Sequence, residues 1–503
     1  MEKRIVAKKR KITLSKKILI LLLVIFEIII LAFSYLATFL GIALQWIVAI
    51  LSLFAVGITI RKLADLNGWS ALMLIGSKKG LNIIDRTAKK HDLFWNEMAM
   101  WGVTLGFGLL AYPLLKGRIN KKTYALGIVS LILIQFLVLP NLGVTSSLIN
   151  IPEVPSLQNI LHSPQVSVIG TNYLSLLITS PLFLIESVIS AVTGFLGYVF
   201  FALLFNAGLI ILGVAKFLAS VTAGAPQSSL LTSQIPGALP IIPGVDIPLI
   251  GVVALIILLV VHEFSHGVLA RKAKVKLKST GLLVLGIIPM GAFVEPDEKQ
   301  IKKLNSVKQT KIFSAGVSAN FIAMLFFFVL MYLFLFLIPG IENTGIYISN
   351  VTVGYPAYGV LKPGMQVIYW NGQAINNIGN LLNASKNDTP GSIVTVETNT
   401  GTYKFTAKAS NSTTRGLIGV ILYQTTSIKD TFYAQFIYLL YTLFALSFML
   451  NFLVGAINLL PLPGFDGWGI CNVNIKNKKF VKFLGGLVIF SLLINVLPWF
   501  FIL

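Results

Sequence analysis

The chain contains one group of residues whose types and spacing suit metal-dependent hydrolysis, His262-Glu263-Phe264-Ser265-His266. On a helix, side chains four positions apart share one face, so His262 and His266 can bind a single metal ion while Glu263 lies beside it as general base. Two of the four histidines in the chain fall within this motif. The alternative explanation is a polar stripe at a helix contact, because a short motif also arises by chance.

The motif follows an uninterrupted apolar run from Leu249 to Val261, which predicts that it lies inside a membrane. Ionisable groups are costly in hydrocarbon and are retained there for pairing, for a metal or for a transport pathway. The membrane setting therefore favours the metal-site hypothesis over the polar stripe.

A third ligand is expected from elsewhere in the chain, because a catalytic zinc usually has three protein ligands and one position left for water. Asp466 is the best candidate, since it follows thirty-five consecutive residues without Asp, Glu, Lys or Arg. Pro461 and Pro463 break the preceding helix, and Gly467 permits a tight backbone that turns the carboxylate back into the bundle. A plain Asp-Gly turn at the membrane surface is the alternative. Cys471 is the only cysteine, which excludes zinc ligation by paired cysteines.

The composition indicates a polytopic α-helical membrane protein. Of its 503 residues, 56% are hydrophobic and 12% are charged, whereas soluble domains have about a quarter of charged residues. We expect eight to ten crossings, judged against the roughly 20 residues that one crossing helix needs. The candidate spans lie near 18–40, 43–60, 95–115, 123–140, 172–192, 194–220, 247–270, 312–338, 433–461 and 483–502.

The net charge of +22 comes from Lys and Arg residues concentrated in short loops beside apolar segments. This positive-inside pattern predicts anionic lipid at the cytoplasmic face, and not nucleic acid, as the partner. The basic segment 1–17 is expected to be a retained cytoplasmic N-terminus. The loops at 271–278, 295–311 and 476–482 are basic and predicted to be cytoplasmic, whereas those at 141–170 and 221–246 lack Lys and Arg and are predicted to be external. The zinc motif would then lie in the cytoplasmic third of the bilayer.

One part of the amino-terminal region conflicts with this rule. The segments 61–94 and 116–122 are both basic, yet a single predicted crossing at 95–115 separates them. Either 95–115 is re-entrant or interfacial, or one basic loop is external.

The segment 340–428 is the one obvious domain outside the membrane. It has short alternating runs separated by Gly, Pro and Asn turns, which predict a mainly β structure. All four Asn-x-Ser/Thr sequons of the chain fall within it, which supports an external location. They are Asn350, Asn383, Asn387 and Asn411.

The motifs together resemble the site-2 protease family of intramembrane zinc metalloproteases. Its members pair a HExxH helix with an Asn-x-x-Pro-x-Pro-x-x-Asp-Gly motif on a later helix. This chain matches the second motif at Asn458, Pro461, Pro463, Asp466 and Gly467. Residues 289–295 resemble the family's membrane-associated β hairpin, and 313–316 with Asn320 resemble the start of its next core helix. Residues 356–357 and 364–372 resemble a PDZ module.

The resemblance implies a protease core in two halves, 240–338 and 429–503, separated by a PDZ-like domain at 340–428. The transmembrane helices of 18–220 have no assigned role. One Zn²⁺ per chain would be held by His262, His266 and Asp466, with Glu263 as base. The substrates would be transmembrane proteins, and the external domain would act as a size filter or docking site.

A substrate helix must unwind before its peptide bond can be attacked, and an extended strand added to a hairpin at 281–294 would satisfy its backbone. Gly291, Ala292 and Phe293 are the candidate contacts. Close approach would suit Gly281, Gly286 and Gly291, although plain glycine turns in a re-entrant loop explain them equally well. The side-chain amides of Asn458 and Asn320 are candidates for orienting substrate or stabilising the oxyanion.

Three other functions fit part of the pattern. A membrane zincin with a glutamate as third ligand is disfavoured by the charge-free run before Asp466. A transporter that uses the broken helix at 461–467 would need two matching repeats, and none is visible. An inactive scaffold is disfavoured because Glu263 and all three ligand positions are present.

Overall fold

The computed structural model describes residues 14–36, 42–76, 78–139, 181–224, 248–409 and 415–498. These residues form two compact units: the first comprises Met1–Val329 with Thr442–Leu503, and the second comprises Leu330–Tyr441. Most of the predicted N-terminal segment 1–17, all of the loop 141–170 and most of the loop 221–246 lie outside the described residues.

The helices are numbered along the chain. They are α1 (Leu14–Leu36), α2 (Ile42–Ala64), α3 (Lys78–Ala88), α4 (Asp92–Phe107), α5 (Ala111–Leu114), α6 (Lys121–Leu133), α7 (Pro181–Thr222), α8 (Gly251–Lys272), α9 (Glu298–Lys302), α10 (Ser306–Leu335), α11 (Ile338–Ile341), α12 (Ile378–Ala384), α13 (Phe432–Ile457), α14 (Asp466–Asn474) and α15 (Lys478–Val496). Eight helical segments of the described chain are long and apolar enough to cross a membrane. They are α1, α2, α7, α8, α10, α13, α15 and the segment Lys121–Val138, in which α6 continues as a helical turn through Ile134–Val138. The prediction of a polytopic helical membrane protein with eight to ten crossings is confirmed.

The predicted crossing at 95–115 is not among these eight. Its helix, α4, has 16 residues and ends at Phe107, because the next residue, Gly108, has a φ of 55° that stops the helix. The chain then folds back, so that Thr123 on α6 hydrogen-bonds to Glu97 on α4. This arrangement agrees with the re-entrant alternative for 95–115.

The two spans predicted at 172–192 and 194–220 correspond to the two helices that meet at a kink within α7, and residues 172–180 lie outside the described chain. The helix is broken at Gly194, where φ is 68° and ψ is −163°. Gly194 lies against the backbone of Gly106 and Phe107 so closely that a Cβ atom has no room. The break therefore follows from a backbone crossing between α7 and α4.

A four-stranded antiparallel sheet lies in the first unit, in the order β1-β2-β3-β4. Its strands are β1 (Asn67–Trp69), β2 (Leu72–Gly76), β3 (Leu277–Leu285) and β4 (Ile288–Pro296). The hairpin predicted at 281–294 is present as β3 and β4, but its partner β1–β2 was not predicted. Strand β4 is at one edge of the sheet and packs along α8.

The core of the first unit is built on α8, α10 and α13. Ala254 and Leu258 on α8 pack against Leu446 and Leu450 on α13. Because lipid tails are as apolar as leucine, such packing stabilises a membrane bundle through close contact and not through removal from water. Phe195 on α7 packs against rings of both α10 and α13, which joins the amino-terminal helices to the core.

The second unit is mainly β, as predicted for 340–428. Its strands are β5 (Glu342–Val351), β6 (Gln366–Trp370), β7 (Gln373–Ala374), β8 (Ile393–Thr398), β9 (Gly401–Thr406), β10 (Lys408–Ala409), β11 (Gly416–Leu417) and β12 (Val420–Ile428). A six-stranded sheet has the order β12-β5-β6-β8-β9, with β7 paired to β6, and β10 pairs with β11. Its core contains Ile346, Val367 and Val394, and the Trp370 indole donates to Asp388 at 2.9 Å. The unit therefore has its own hydrophobic core and a buried polar anchor.

Candidate metal centre

His262 and His266 lie one turn apart on α8, and their rings converge with the Asp466 carboxylate at the start of α14. The two Nε2 atoms are 3.2 Å apart. Asp466 Oδ2 lies 3.4 Å from His262 Nε2, and Oδ1 lies 3.3 Å from His266 Nε2. Within the described part of the chain, no other three His, Cys, Asp or Glu side chains are placed to share a metal ion.

These separations suit a tetrahedral zinc site. Zinc binds imidazole nitrogen and carboxylate oxygen at about 2.0–2.2 Å, so neighbouring ligands of a tetrahedron lie about 3.3–3.6 Å apart. Asp466 Oδ2 is buried and accepts no hydrogen bond from the described residues. A bound metal ion would explain this unpaired oxygen. The two imidazoles and one carboxylate therefore fit zinc in number, type and spacing.

The second ring nitrogen of each imidazole, Nδ1, lies within hydrogen-bond distance of a residue on α10. His266 Nδ1 lies 2.7 Å from the Ile312 carbonyl on α10. Because a carbonyl only accepts hydrogen bonds, Nδ1 must carry the proton, and Nε2 of the neutral ring then keeps its lone pair. His262 Nδ1 lies 3.1 Å from Asn320 Nδ2, while the buried Asn320 Oδ1 has no hydrogen-bond partner among the described residues. Rotating this amide by half a turn would let Oδ1 accept the Nδ1–H of His262, and both Nε2 atoms would then be free for a metal.

Gly316 on α10 lets the two imidazoles meet. A Cβ atom at this position would lie 2.5 Å from Nε2 of both His262 and His266. A larger residue would therefore occupy the space of the metal centre. The sequence resemblance included residues 313–316, but their contact with the rings becomes visible only in the fold.

Asp466 is positioned by the turn that precedes it and by the docking of α14. Gly467 N–H donates to the Asn458 carbonyl at 2.7 Å, which fixes the carboxylate beside the end of α13. Further along α14, Asn474 Nδ2 donates to Thr310 Oγ1 on α10 at 2.8 Å. The third candidate ligand is thus held against the helix that also orients both imidazoles.

Glu263 points from α8 to the edge of the sheet. Its Oε2 accepts the Val294 N–H of β4 at 3.0 Å. The side chain is half-buried and lies next in sequence to His262. This placement agrees with a base that works at the boundary between the metal centre and the edge strand.

The candidate substrate contacts are distributed differently from the prediction. Gly291, Ala292 and Phe293 all lie on β4, whereas Asn320 is fully buried against His262. Asn458 is half-buried at the end of α13. The structure thus brings Asn320 to a ligand and not to an open surface.

The three glycines that were predicted to allow close approach of substrate have different surroundings. A Cβ on Gly281 would collide with the backbone of β2, and one on Gly286 would meet Leu53 on α2. Gly291 has only ordinary contacts, at 3.7 Å or more. Of the three, only Gly291 lies on the edge strand β4, whereas Gly281 lies on β3 between two strands and Gly286 lies in the turn that joins β3 and β4.

The amino-terminal region supports the metal helix, which sequence reasoning missed. Arg271 at the end of α8 forms a two-point ion pair with Asp85 on α3, at 2.6 and 3.2 Å. Lys272 forms an ion pair with Asp92 and donates to the carbonyls of Ala88 and Lys90. Acidic residues inside otherwise basic segments were the available signal, but nothing in the sequence links them to partners about 180 positions away.

The comparison with known proteins agrees with this geometry. Residues 250–490 match the family model described as Peptidase family M50. An uncharacterized protein of Methanocaldococcus jannaschii is 31% identical over 232 residues, which is 46% of this chain and 59% of that protein. The chain thus spans somewhat more than half of that relative's length. The matched region is just under half of the chain and contains α8 and α14, which carry the three converging side chains. In this region the chain is similar to peptidase family M50.

Proposed function

We propose that this protein is a zinc-dependent endopeptidase that cleaves transmembrane segments of membrane proteins. The observation that carries the proposal is the convergence of His262, His266 and Asp466 among helices long enough to cross a membrane. Hydrolytic residues on a spanning helix can reach peptide bonds that a soluble protease cannot.

His262, His266 and Asp466 would hold one zinc ion per chain. Zinc bound there would polarise the scissile carbonyl and lower the pKa of a bound water to about 7. Ile312 and Asn320 would keep the two imidazoles in the tautomer that presents Nε2.

Glu263 would take the proton from the attacking water and later deliver it to the leaving amine. Its carboxylate lies at the edge strand, where the substrate backbone would arrive. Asn458, beside the third ligand, stays our candidate for donating an amide N–H to the developing oxyanion. Asn320, by contrast, is assigned a positioning role, because its amide contacts His262.

The substrate would enter as an unwound strand along β4. Backbone groups in hydrocarbon need partners, and a sheet edge provides them at regular spacing. The opposite side of β3 is occupied by β2, so β4 offers the edge of this sheet that faces the metal helix. Residues 291–293 are therefore proposed as substrate contacts.

The orientation and partners follow from charge and from the second unit. We propose that the basic loops face the cytoplasm and anionic lipid, with the second unit external. In that unit, a cavity of about 130 Å³ lies between α12 and β11–β12, beside the edge strand β12. This PDZ-like unit would dock or exclude substrates according to their ectodomains.

Zinc content and cleavage together test the proposal. The detergent-purified protein should bind one zinc per chain, and Asp466→Ala should weaken that binding. Wild type should cleave a transmembrane-helix reporter, whereas Glu263→Gln should bind zinc but not cleave. Absence of both zinc and Glu263-dependent cleavage would refute the function, and zinc binding unaffected by Asp466→Ala would refute the third ligand.

A further inference from the structure

We infer that Glu263 and an incoming substrate strand compete for one backbone group, the N–H of Val294, so that strand pairing itself releases the catalytic base. The inference rests on the function proposed above. It concerns a contact of the substrate-free protein, in which the base already occupies part of the edge that the substrate needs.

The pairing of β3 with β4 shows which groups face outward. Thr280 is opposite Val294, Gly281 is opposite Phe293, and Leu282 is opposite Ala292. In an antiparallel ladder, the backbone groups of successive residues point alternately toward the partner strand and away from it. Since the Val294 N–H donates to Glu263, it points away from β3. By alternation, the groups of Ala292 also point outward, and those of Phe293 point to β3.

The outward edge of β4 has few donors. Pro289 and Pro296, near its two ends, have no N–H, and the ladder changes register between Leu283 and Val284. The regular part of the edge therefore presents the N–H groups of Ala292 and Val294. One of these two donors is held by Glu263.

The hydrogen bond between the Val294 N–H and Glu263 joins β4 to α8, the helix that carries both histidines. A Cβ on Gly267 would lie 3.3 Å from Val294 Cγ1, and one on Gly291 would lie 3.7 Å from Leu259 Cδ1. Strand β4 thus runs along the face of α8 that carries Leu259, Glu263 and Gly267. A substrate strand that pairs with Val294 must take the N–H from Glu263, because a single N–H makes one good hydrogen bond.

Glu263 would therefore become free to act as a base only when a substrate strand has paired with β4. Without substrate, the Glu263 carboxylate is engaged by a backbone donor at 3.0 Å. With a strand in place, the Val294 N–H donates to a substrate carbonyl, and Oε2 is free to accept a proton from water. An unwound segment would be cleaved in preference to a helix that merely lies nearby.

Peptide binding to two inactive variants tests the competition. Glu263→Ala removes the acceptor, whereas Glu263→Gln keeps a carbonyl oxygen that can hold the Val294 N–H. The probe is a fluorescently labelled synthetic transmembrane peptide with glycines at its centre. We expect Glu263→Ala to bind it about two- to twelvefold more tightly than Glu263→Gln, since one neutral hydrogen bond of about 0.5–1.5 kcal/mol no longer has to be broken.

A proline in the edge strand gives the matched control. Val294→Pro removes the disputed N–H, and the edge position tolerates proline because that N–H points away from β3. In this background the difference between the Ala and Gln variants should vanish, whereas in an Ala292→Pro background it should persist. Equal affinities of Glu263→Ala and Glu263→Gln on the unaltered strand would overturn the inference, as would a difference that survives Val294→Pro. Failure of the proposed function would show separately, as a wild type that neither binds zinc nor cleaves this peptide.

Discussion

At the scale of single residues, the absence of a side chain at Gly316 is what leaves space for the two imidazoles and a metal ion. Its Cβ position is 2.5 Å from both candidate ligand nitrogens, so Gly316→Ala should displace an imidazole. We expect zinc affinity to fall by at least about tenfold, comparable with the loss of an outer-shell contact. Zinc titration of the purified variant measures this. Gly486→Ala on α15 is the control, since its Cβ would have no neighbour within 4 Å in the described chain, and it should keep wild-type affinity.

Asn320 should act on zinc through His262. Asn320→Leu preserves most of the side-chain volume but cannot accept the Nδ1–H, so the imidazole loses its fixed tautomer and zinc binding should weaken about 10–100-fold. Asn320→Asp restores an acceptor and should recover part of the affinity. Visible absorption of the cobalt-substituted protein would report the ligand geometry in each variant. Unchanged affinity and an unchanged spectrum in Asn320→Leu would contradict the positioning role.

Cys471 should be chemically inert in the folded protein. Burial raises the pKa of its thiol to about 12, because the thiolate would lose its hydration. The thiol therefore remains protonated from pH 7 to about pH 10, and reagents that attack thiolate should label it slowly throughout that range. Maleimide labelling of native and denatured protein measures the difference. Lys386→Cys, at an exposed position of the second unit, should be labelled rapidly, with a rate that rises with pH.

At the scale of elements, α14 depends on its docking to α10. Thr310 Oγ1 accepts from Asn474 and donates to the Ser306 carbonyl, both at 2.8 Å. Thr310→Val keeps the shape but removes the hydroxyl, which should cost about 0.5–1.5 kcal/mol of docking and speed zinc release to a chelator. Thr310→Ser should restore the slow release. A release rate unaffected by Thr310→Val would mean that Asp466 is held by its own turn alone.

The sequence predicted those parts of the site whose spacing is local. His262 and His266 are one helical turn apart, and Asp466 was a candidate because it ends a long charge-free run directly after the helix-breaking Pro461 and Pro463. Contacts between distant segments were not predictable. The β1–β2 hairpin is too short to give a clear period-2 signal, and the ion pair of Arg271 with Asp85 joins two ordinary charged residues 186 positions apart. The conflict of charges around 95–115 did show that the assignments there could not all hold, but only the fold shows that α4 ends at Phe107 and packs against α6.

At the scale of the whole molecule, the three converging side chains belong to the first unit, while the second unit has its own core. The β part of the second unit, residues 342–428, begins and ends at neighbouring points. Glu342 pairs with Ile428, and the Lys429 N–H donates to the Ile341 carbonyl at 2.8 Å. A tight two-residue turn of the kind that joins antiparallel strands could therefore replace residues 342–428.

Excision of residues 342–428 separates hydrolysis from substrate selection. Zinc stoichiometry should be unchanged, because no candidate ligand is removed. If the second unit excludes bulky substrates, wild type should cleave a transmembrane reporter without an ectodomain but spare the same reporter fused to a folded domain, and the excised variant should cleave both. The reporter without an ectodomain is the internal control for intact catalysis. If the fused reporter is still spared after excision, the selection resides in the membrane bundle, and access to the β4 edge becomes the step that admits a substrate.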